Sequence, residues 1–562
     1  MMASRKPVVQ VEATPQYMLF ADSTFEAAQQ DETPGVGGGK VVFARPDRRF
    51  LTVGSKLVED HLNDAKVHAP FVIKQILESM DWSAFESAYK PGGRPPYHPE
   101  RMVGIVLYGH MTGCTSLRGL EEFARVNLGA IWLGGGICPD HSVIGRFVHR
   151  HEQQLTGEFF TTLVQEVLKA TGSDAKAVAA DGTVIQAAAS RFSTVKREAA
   201  EQARQEARRA AQAAPEDPQL QKKQQHAEKV AAEMEKRAAK RTAKGKPADK
   251  TYISSTEPDA VVQPMKNKQF APSYKPSVMA NENRVVVAAE VDPSSETKVL
   301  ETMLNKAAEV NNGDMPEQCL LDAGYNCNET IELALHNEID LLCPEGQLDG
   351  PGGSPIKQSK KKYPKGAFDY QQDTDSYRCP AGQLLVPVGS YQGTDSEAAY
   401  VEYGTAACAN CPLRGKCTTS PKGRRVKRYQ SDDKKDALRA VMRQALAQKR
   451  YRQRQAMVEP VFSELKGRQG LNRFRRCGLA AVRLEFFIHV AAYNLGRAVA
   501  AAVAAATAAA VVNAIRTVIY RALAQVLLSG AREPDVRRTR TLVWSLRSIR
   551  YPLPALEVCV AA

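Results

Sequence analysis

Three carboxylates stand in local sequences suited to phosphoryl chemistry. Asp181 closes a short apolar run and precedes Gly182 in VAADGTVIQAAAS (178–190). Asp322 closes another in QCLLDAGY, two residues ahead of Gly324. Strand ends of this kind can aim side chains into one cleft. Glu459 lies in QAMVEPVFSELKGRQG (455–470), directly before Pro460. Proline suits the first turn of a helix and restrains the residue before it, so a helix start or kink is predicted at Glu459. Lys466 follows seven residues on, two turns along the same face. Taken singly, each aspartate reads as a cap or turn residue; taken together, the three carboxylates point to a shared site. Two Mg²⁺ ions about 3.5–4 Å apart can clamp the attacking and leaving oxygens of an in-line phosphoryl displacement. Two aspartates and a glutamate supply the hard oxygen ligands that Mg²⁺ or Mn²⁺ takes, and leave room for its waters.

A second constellation is made of thiols. Cys408 and Cys411 have the two-residue gap of a zinc knuckle, Cys417 follows, and Cys379 comes from a separate hairpin. Four thiolates could complete a tetrahedral structural Zn²⁺ site. The region shows little core of its own, so a metal would help it fold. Reduced, partly buried cysteines are the plainer alternative, and nothing here calls for an iron–sulfur cluster.

The elements that must hold these groups follow from pattern. Residues 57–170 carry apolar residues at helical spacing, with Asp140 and Ser142 as cap or turn residues before a helix near Val143. Arg146, His149 and Arg150 on that helix suit a helix-turn-helix-like module that binds DNA, or the solvated basic face of a bundle. Residues 193–250 are mostly Ala, Glu, Lys and Arg, predicting two long helices broken at APEDP (214–218) that protrude from the body or stay partly disordered. YKPSVMANENRVVVAAEVD (274–292) reads as a hairpin around Asn281 and Asn283, and 293–343 as helix, strand, helix, strand. This order fits a mixed α/β sheet. In RFRRCGLAAVRLEFFIHVAAYNLGRAV (473–499), Arg473, Arg475 and Arg476 are candidates for phosphate contact, while Phe474, Phe486 and Phe487 are expected in the core.

Composition sets the outer bounds. The chain has 562 residues, is 43% hydrophobic and 25% charged, and carries a formal charge of +14 with a pI near 9.2. That length suits about two to four domains, and the excess of cations favours a polyanionic partner such as nucleic acid. The start, MMASRKPVVQVEATPQ, lacks an apolar core of signal length, so a cytoplasmic, nucleoid-associated protein is expected. Its eleven cysteines are then expected as reduced thiols or metal ligands. VVFARP near the end of the N-terminal arm reads as a strand, and AVAAAVAAATAAAVVNAI (498–515) as a packed helix rather than a membrane span.

DGTVIQAAAS, LDAGY and VEPVFSELKGRQGLNRFRRCGL with AAYNLGRAV resemble the three catalytic blocks of DDE insertion-sequence transposases. Residues 97–147 resemble the helical N-terminal domain of the same group, and SSTEPDA (254–260) fits a long branch of it. The resemblance covers roughly 60–500. It implies an RNase H-like mixed-sheet catalytic domain of α/β class, joined to an all-α N-terminal domain with helical and cysteine-rich insertions. It also implies the triad Asp181, Asp322 and Glu459, two Mg²⁺ or Mn²⁺ ions, and cleavage and joining of double-stranded DNA at element ends and target by a homo-oligomer. Lys466 is then the contact to phosphate near the cleaved end. Gln455 stands where related enzymes often carry Arg, and Arg452 and Arg454 lie close enough to substitute. The expected layout is an arm (1–56), a helical DNA-binding domain (57–170), the first part of the catalytic core (171–346), a cysteine-bearing insertion (347–430), the last part of the core (431–500) and an Ala-rich, basic tail (501–562). A catalytically silent DNA-binding relic and a nuclease without joining activity are the alternative functions.

Overall fold

The computed structural model describes residues 41–528, apart from 244, 266–268, 346–362, 364 and 394–397. Most of the predicted arm and the end of the predicted tail lie outside the described residues. The chain divides into two compact units, Met1–Ser173 with Ala491–Ala562, and Asp174–Val490.

In the first unit a short antiparallel ribbon, Thr52–Val53 with Lys56–Leu57, precedes a run of helices from Val58 to Thr171. Pro99–Met111 is the central helix, buried at every residue from Pro99 to His110. Its first turn carries an internal ion pair. Arg48 Nη2 donates to Glu100 Oε1 at 2.7 Å, with the two side chains 4% and 2% exposed. Arg45 reaches the same carboxylate. The end of the predicted loose arm is therefore tied down, and VVFARP makes only an isolated bridge, Ala44 to Tyr97, where a strand is predicted. Helix starts follow their polar residues: Ser116, Asn127 and Asp140 each accept a backbone N–H of the next turn.

In the second unit β1 (Ala177–Gly182), β2 (Phe270–Asn281), β3 (Val286–Asp292), β4 (Gln318–Leu320) and β5 (Asp340–Leu342) lie in the order β5-β4-β1-β2-β3. β4 runs parallel to both β1 and β5, whereas β2 is antiparallel to β1 and β3. This is the predicted mixed sheet. Asn281 shapes the β2–β3 turn, accepting from Val285 N at 2.9 Å and donating to Asp174 O at 2.7 Å. β2 keeps Pro272 and Pro276 inside a central strand, which pattern rules disfavour. Their carbonyls still pair, with Ala187 N at 2.9 Å and Thr183 N at 3.0 Å.

The insertions match expectation in part. α1 (Arg197–Ala213) and α2 (Pro218–Ala243) form the predicted helix pair, packed through Ala200, Val230 and Met234 with Ile253. The cysteine-bearing insertion, expected to lack a core, has its own antiparallel sheet spanning Asp369–Tyr429 over Phe368, Tyr377, Leu385, Tyr403 and Val426. Aromatic residues scattered along the sequence assemble this core, which is why no local pattern showed it. α3 (Gln453–Lys466) packs on β1, whose small residues Ala179 and Ala180 are fully buried. α4 (Leu479–Leu528) contains the Ala-rich stretch. That stretch is helical but not packed: residues from Val503 to Tyr520 are almost all exposed. Alanine methyl groups offer little area to bury. By length and composition alone, Leu479–Arg521 could cross a membrane.

His151 is fully buried in the first unit, against Phe85, Phe147 and Tyr89 at ring separations of 4.9, 4.8 and 5.6 Å. Burial, aided by the charge of Arg150, pushes its pKa from 6.5 down to about 4. A depressed histidine pKa means that the unfolded chain binds the extra proton. Stability should therefore fall as pH drops from about 6.5 to about 4, by up to roughly 3 kcal/mol. Chemical denaturation across that range should show this slope, and His151→Phe should remove it.

Candidate active site

β1 and β4 are parallel neighbours in the register Ala177–Gln318, Val178–Cys319 and Ala179–Leu320. Two residues beyond the last pair stand Asp181 and Asp322, level with each other and, by strand alternation, on the same side. Arg454 from α3 answers both charges. Its Nη2 lies 3.0 Å from Asp181 Oδ1 and 3.9 Å from Asp322 Oδ2, and donates to Ala180 O at 3.3 Å. Asp322 Oδ1 also accepts from Gly324 N at 2.8 Å. Burial pushes the Asp181 carboxyl above its ordinary range. Arg454 opposes that rise, and the charges of Asp322 and Glu296 add to it.

Glu459 is the seventh residue of α3, not at a helix start, and Pro460 lies inside the helix. Proline has no N–H to give to the carbonyl of Ala456, four residues back. Arg284 Nε, in the β2–β3 turn, takes that carbonyl at 3.1 Å. The missing helical bond thus becomes a link between helix and sheet. The Glu459 carboxylate is exposed and accepts from Gln455 Nε2 at 3.1 Å. Lys466, on the same face, donates to Thr183 Oγ1 just beyond Asp181. The carboxylate whose charge reaches both aspartate motifs is Glu296, in the loop after β3. Sequence reading missed it, because Ser-Ser-Glu ahead of an apolar run signals a helix start.

Two acids outside the aspartate pair hold this frame together. Glu257 of SSTEPDA is 1% exposed and accepts from Ala189 N (2.9 Å), Tyr274 Oη (2.9 Å) and Gly478 N (3.1 Å). It joins the segment after β1, strand β2 and the start of α4. Glu485 accepts from the backbone N–H groups of Arg475 and Arg476 at 3.0–3.1 Å, with burial pushing its pKa up.

The candidate DNA-contacting cations divide accordingly. Arg452, Arg475 and Arg146 are exposed, and Arg476 is half-buried. Arg454 is turned inward onto the aspartates, and Arg473 donates to Ala187 O at 3.1 Å and Ala189 O at 3.3 Å. Arg454 is thereby corrected from a phosphate contact to an internal tie, whereas Arg473 stays exposed while bonded to that backbone. Phe474, Phe486 and Phe487 are buried, as expected.

Cys379, Cys408, Cys411 and Cys417 line one pocket with Phe368, Leu385 and Leu413, and all four thiols are free. Burial pushes the Cys417 thiol up; Arg424 opposes the rise and the other three thiols add to it. Among the described residues, no three metal-ligating side chains are already gathered as a group that could hold an ion. The donor chemistry at the sheet nevertheless fits a hard cation, and the Arg454 guanidinium stands against both aspartates as a cation would. Because its carboxyl pKa is raised, Asp181 favours folding only at low pH, and the benefit is lost as pH rises through the raised value. At neutral pH in chelator, Asp181→Asn should therefore melt no lower than wild type, and thermal denaturation with EDTA checks this.

Residues 378–499 match the family described as Transposase DDE domain, and residues 60–150 match Transposase domain (DUF772). Searches of curated proteins and of solved structures returned no match. The first match contains Glu459, Lys466 and the four clustered cysteines, and begins beyond Asp181 and Asp322. A DDE domain implies an RNase H-like fold, DNA as partner and divalent metal ions as the family's general cofactor. Two separate stretches of the chain are thus similar to transposase domains, and together they support an insertion-sequence DDE transposase.

Proposed function

We propose that the protein binds the terminal inverted repeats of its element and catalyses metal-dependent strand cleavage and strand transfer, acting as an oligomer on DNA in the cytoplasm. The observation that carries this reading is the shared register of Asp181 and Asp322 beside the helix bearing Glu459 and Lys466. Divalent cations, when bound, activate the attacking oxygen and stabilise the leaving one. Asp181, Asp322 and Glu459 would hold them. The sheet supplies a rigid base for the aspartates, so the attacking group and the phosphate are aligned rather than searched for. Lys466, a point charge at the helix end beside Thr183, meets a phosphate oxygen. Arg452, Arg475, Arg476 and Arg146 take backbone phosphates, which positions DNA without reading its sequence. In cleavage a water oxygen attacks phosphorus and the bond to the 3′-oxygen breaks, freeing a 3′-hydroxyl. In transfer that hydroxyl attacks a target phosphate, and the displaced target 3′-oxygen takes up a proton.

Cleavage of the native element ends in Mg²⁺ tests the reading. Asp181→Ala, Asp322→Ala and Glu459→Ala should each lose about 1,000-fold or more in rate, roughly 4 kcal/mol of barrier, and still bind the ends. Wild type that binds but cuts in neither Mg²⁺ nor Mn²⁺ would leave a DNA-binding relic; cutting without joined products would leave a nuclease.

The four thiols of the insertion are assigned a structural Zn²⁺, supported by their convergence on one pocket from distant points in the chain. Elemental analysis of protein purified without chelator should find about one zinc per chain, lost in Cys411→Ser. Metal-free wild type would sink the assignment.

A further inference from the structure

Glu296 stands outside the triad that the resemblance supplies, yet its carboxylate fits between the two aspartate motifs. A Cβ added to Gly182 would lie 2.8 Å from Glu296 Oε2, and one added to Gly324 would lie 3.3 Å from Oε1. Each oxygen therefore faces the glycine that follows one aspartate. The loop is built to deliver it. Asp292 at the end of β3 accepts from the N–H groups of Ser294 and Ser295, both at 2.7 Å, and the chain turns into helix at Glu296. The cation nearest in contact, Lys275 Nζ, is 3.6 Å from Oε2, too far for a hydrogen bond.

Two buried hydroxyls point independently to something held there. Ser277 and Tyr325 are both 0% exposed; their hydroxyls face each other, and neither completes a hydrogen bond of normal geometry with any group. Ser277 Oγ borders the same gap, 3.0 Å from where a Gly182 Cβ would sit. The charges of Glu296, Asp181 and Asp322 all reach Tyr325. Three carboxylates gather here opposite Arg454 and Lys275, with Lys466 on Thr183 just beyond Asp181. A hard cation keeps several of its waters, and those waters need polar partners such as these hydroxyls.

We propose that Glu296 is a ligand of the same divalent-cation site as Asp181 and Asp322. The proposal rests on the transposase chemistry argued above. It explains the glycines at 182 and 324: a side chain at 182 would fill the space that the Glu296 carboxylate uses, and one at 324 would crowd it.

The test is Mn²⁺ binding to the full-length protein, followed by the loss of the free-ion electron paramagnetic resonance signal. Wild type is compared with Asp181→Asn, Glu296→Gln, Glu296→Asp, Lys275→Gln and Gly182→Ala, with circular dichroism as the check on folding. Glu296→Gln and Asp181→Asn should each weaken binding at least tenfold. Glu296→Asp, which keeps the charge on a shorter arm, should fall between them and wild type. Gly182→Ala should weaken binding with every carboxylate still present. Lys275→Gln should bind as well as wild type or better. If Asp181→Asn weakens binding and a folded Glu296→Gln does not, the inference fails and the transposase chemistry stands. If Lys275→Gln and Glu296→Gln lower the melting temperature equally and leave Mn²⁺ binding intact, Glu296 is only the partner of Lys275 and the inference fails. If wild type binds no Mn²⁺ and cuts no DNA, both readings fail together.

Discussion

Two like charges held level at the ends of adjacent parallel strands are the constraint on which the second unit turns. The register of β1 and β4 places Asp181 and Asp322 side by side, in a position partly out of water. Such a pair repels, and burial removes much of the screening that water would give. The fold answers with Arg454, delivered from a helix more than 270 residues after Asp181. Without α3 against β1, that charge balance fails.

How α3 is held is therefore part of the chemistry. Pro460 withdraws one helical hydrogen bond, and Arg284 at the tip of the β2–β3 turn uses the freed carbonyl. Lys466 ties the far end of the helix to Thr183, beside the strand that carries Asp181. Beyond α3, Arg473 donates to the backbone of Ala187 and Ala189, and Glu257 gathers N–H groups from the segment after β1 and from the start of α4. These contacts join stretches that lie far apart in the chain. They account for the buried acid in SSTEPDA, whose place is structural: a carboxylate accepting three bonds is held firmly and leaves no donor unpaired.

The insertions follow a different logic. The α1–α2 pair packs mainly through alanines, with Val230 and Met234 as its larger contacts, so most of its Lys, Arg and Glu side chains stay in water. The cysteine-bearing insertion instead builds an aromatic core under five strands, with Arg428 stacked 3.3 Å above the centre of the Tyr370 ring.

The sequence by itself determined the elements and the aspartates. Periodicity marked the helices of the first unit, the hairpin around Asn281, the charged helix pair and the burial of Phe474, Phe486 and Phe487, because each depends on residues close in the chain. It marked Asp181 and Asp322 because a carboxylate at the end of an apolar run has few reasons to be there. Only the tertiary structure decided what surrounds them. It turned Arg454 inward, tied Arg473 to the backbone of Ala187 and Ala189, set Pro460 inside a helix, left the alanine stretch of α4 exposed and brought Glu296 between two glycines. The reason is physical: a local pattern records which face of an element is apolar, whereas partners for buried charges and freed carbonyls come from strand register and helix docking between distant segments.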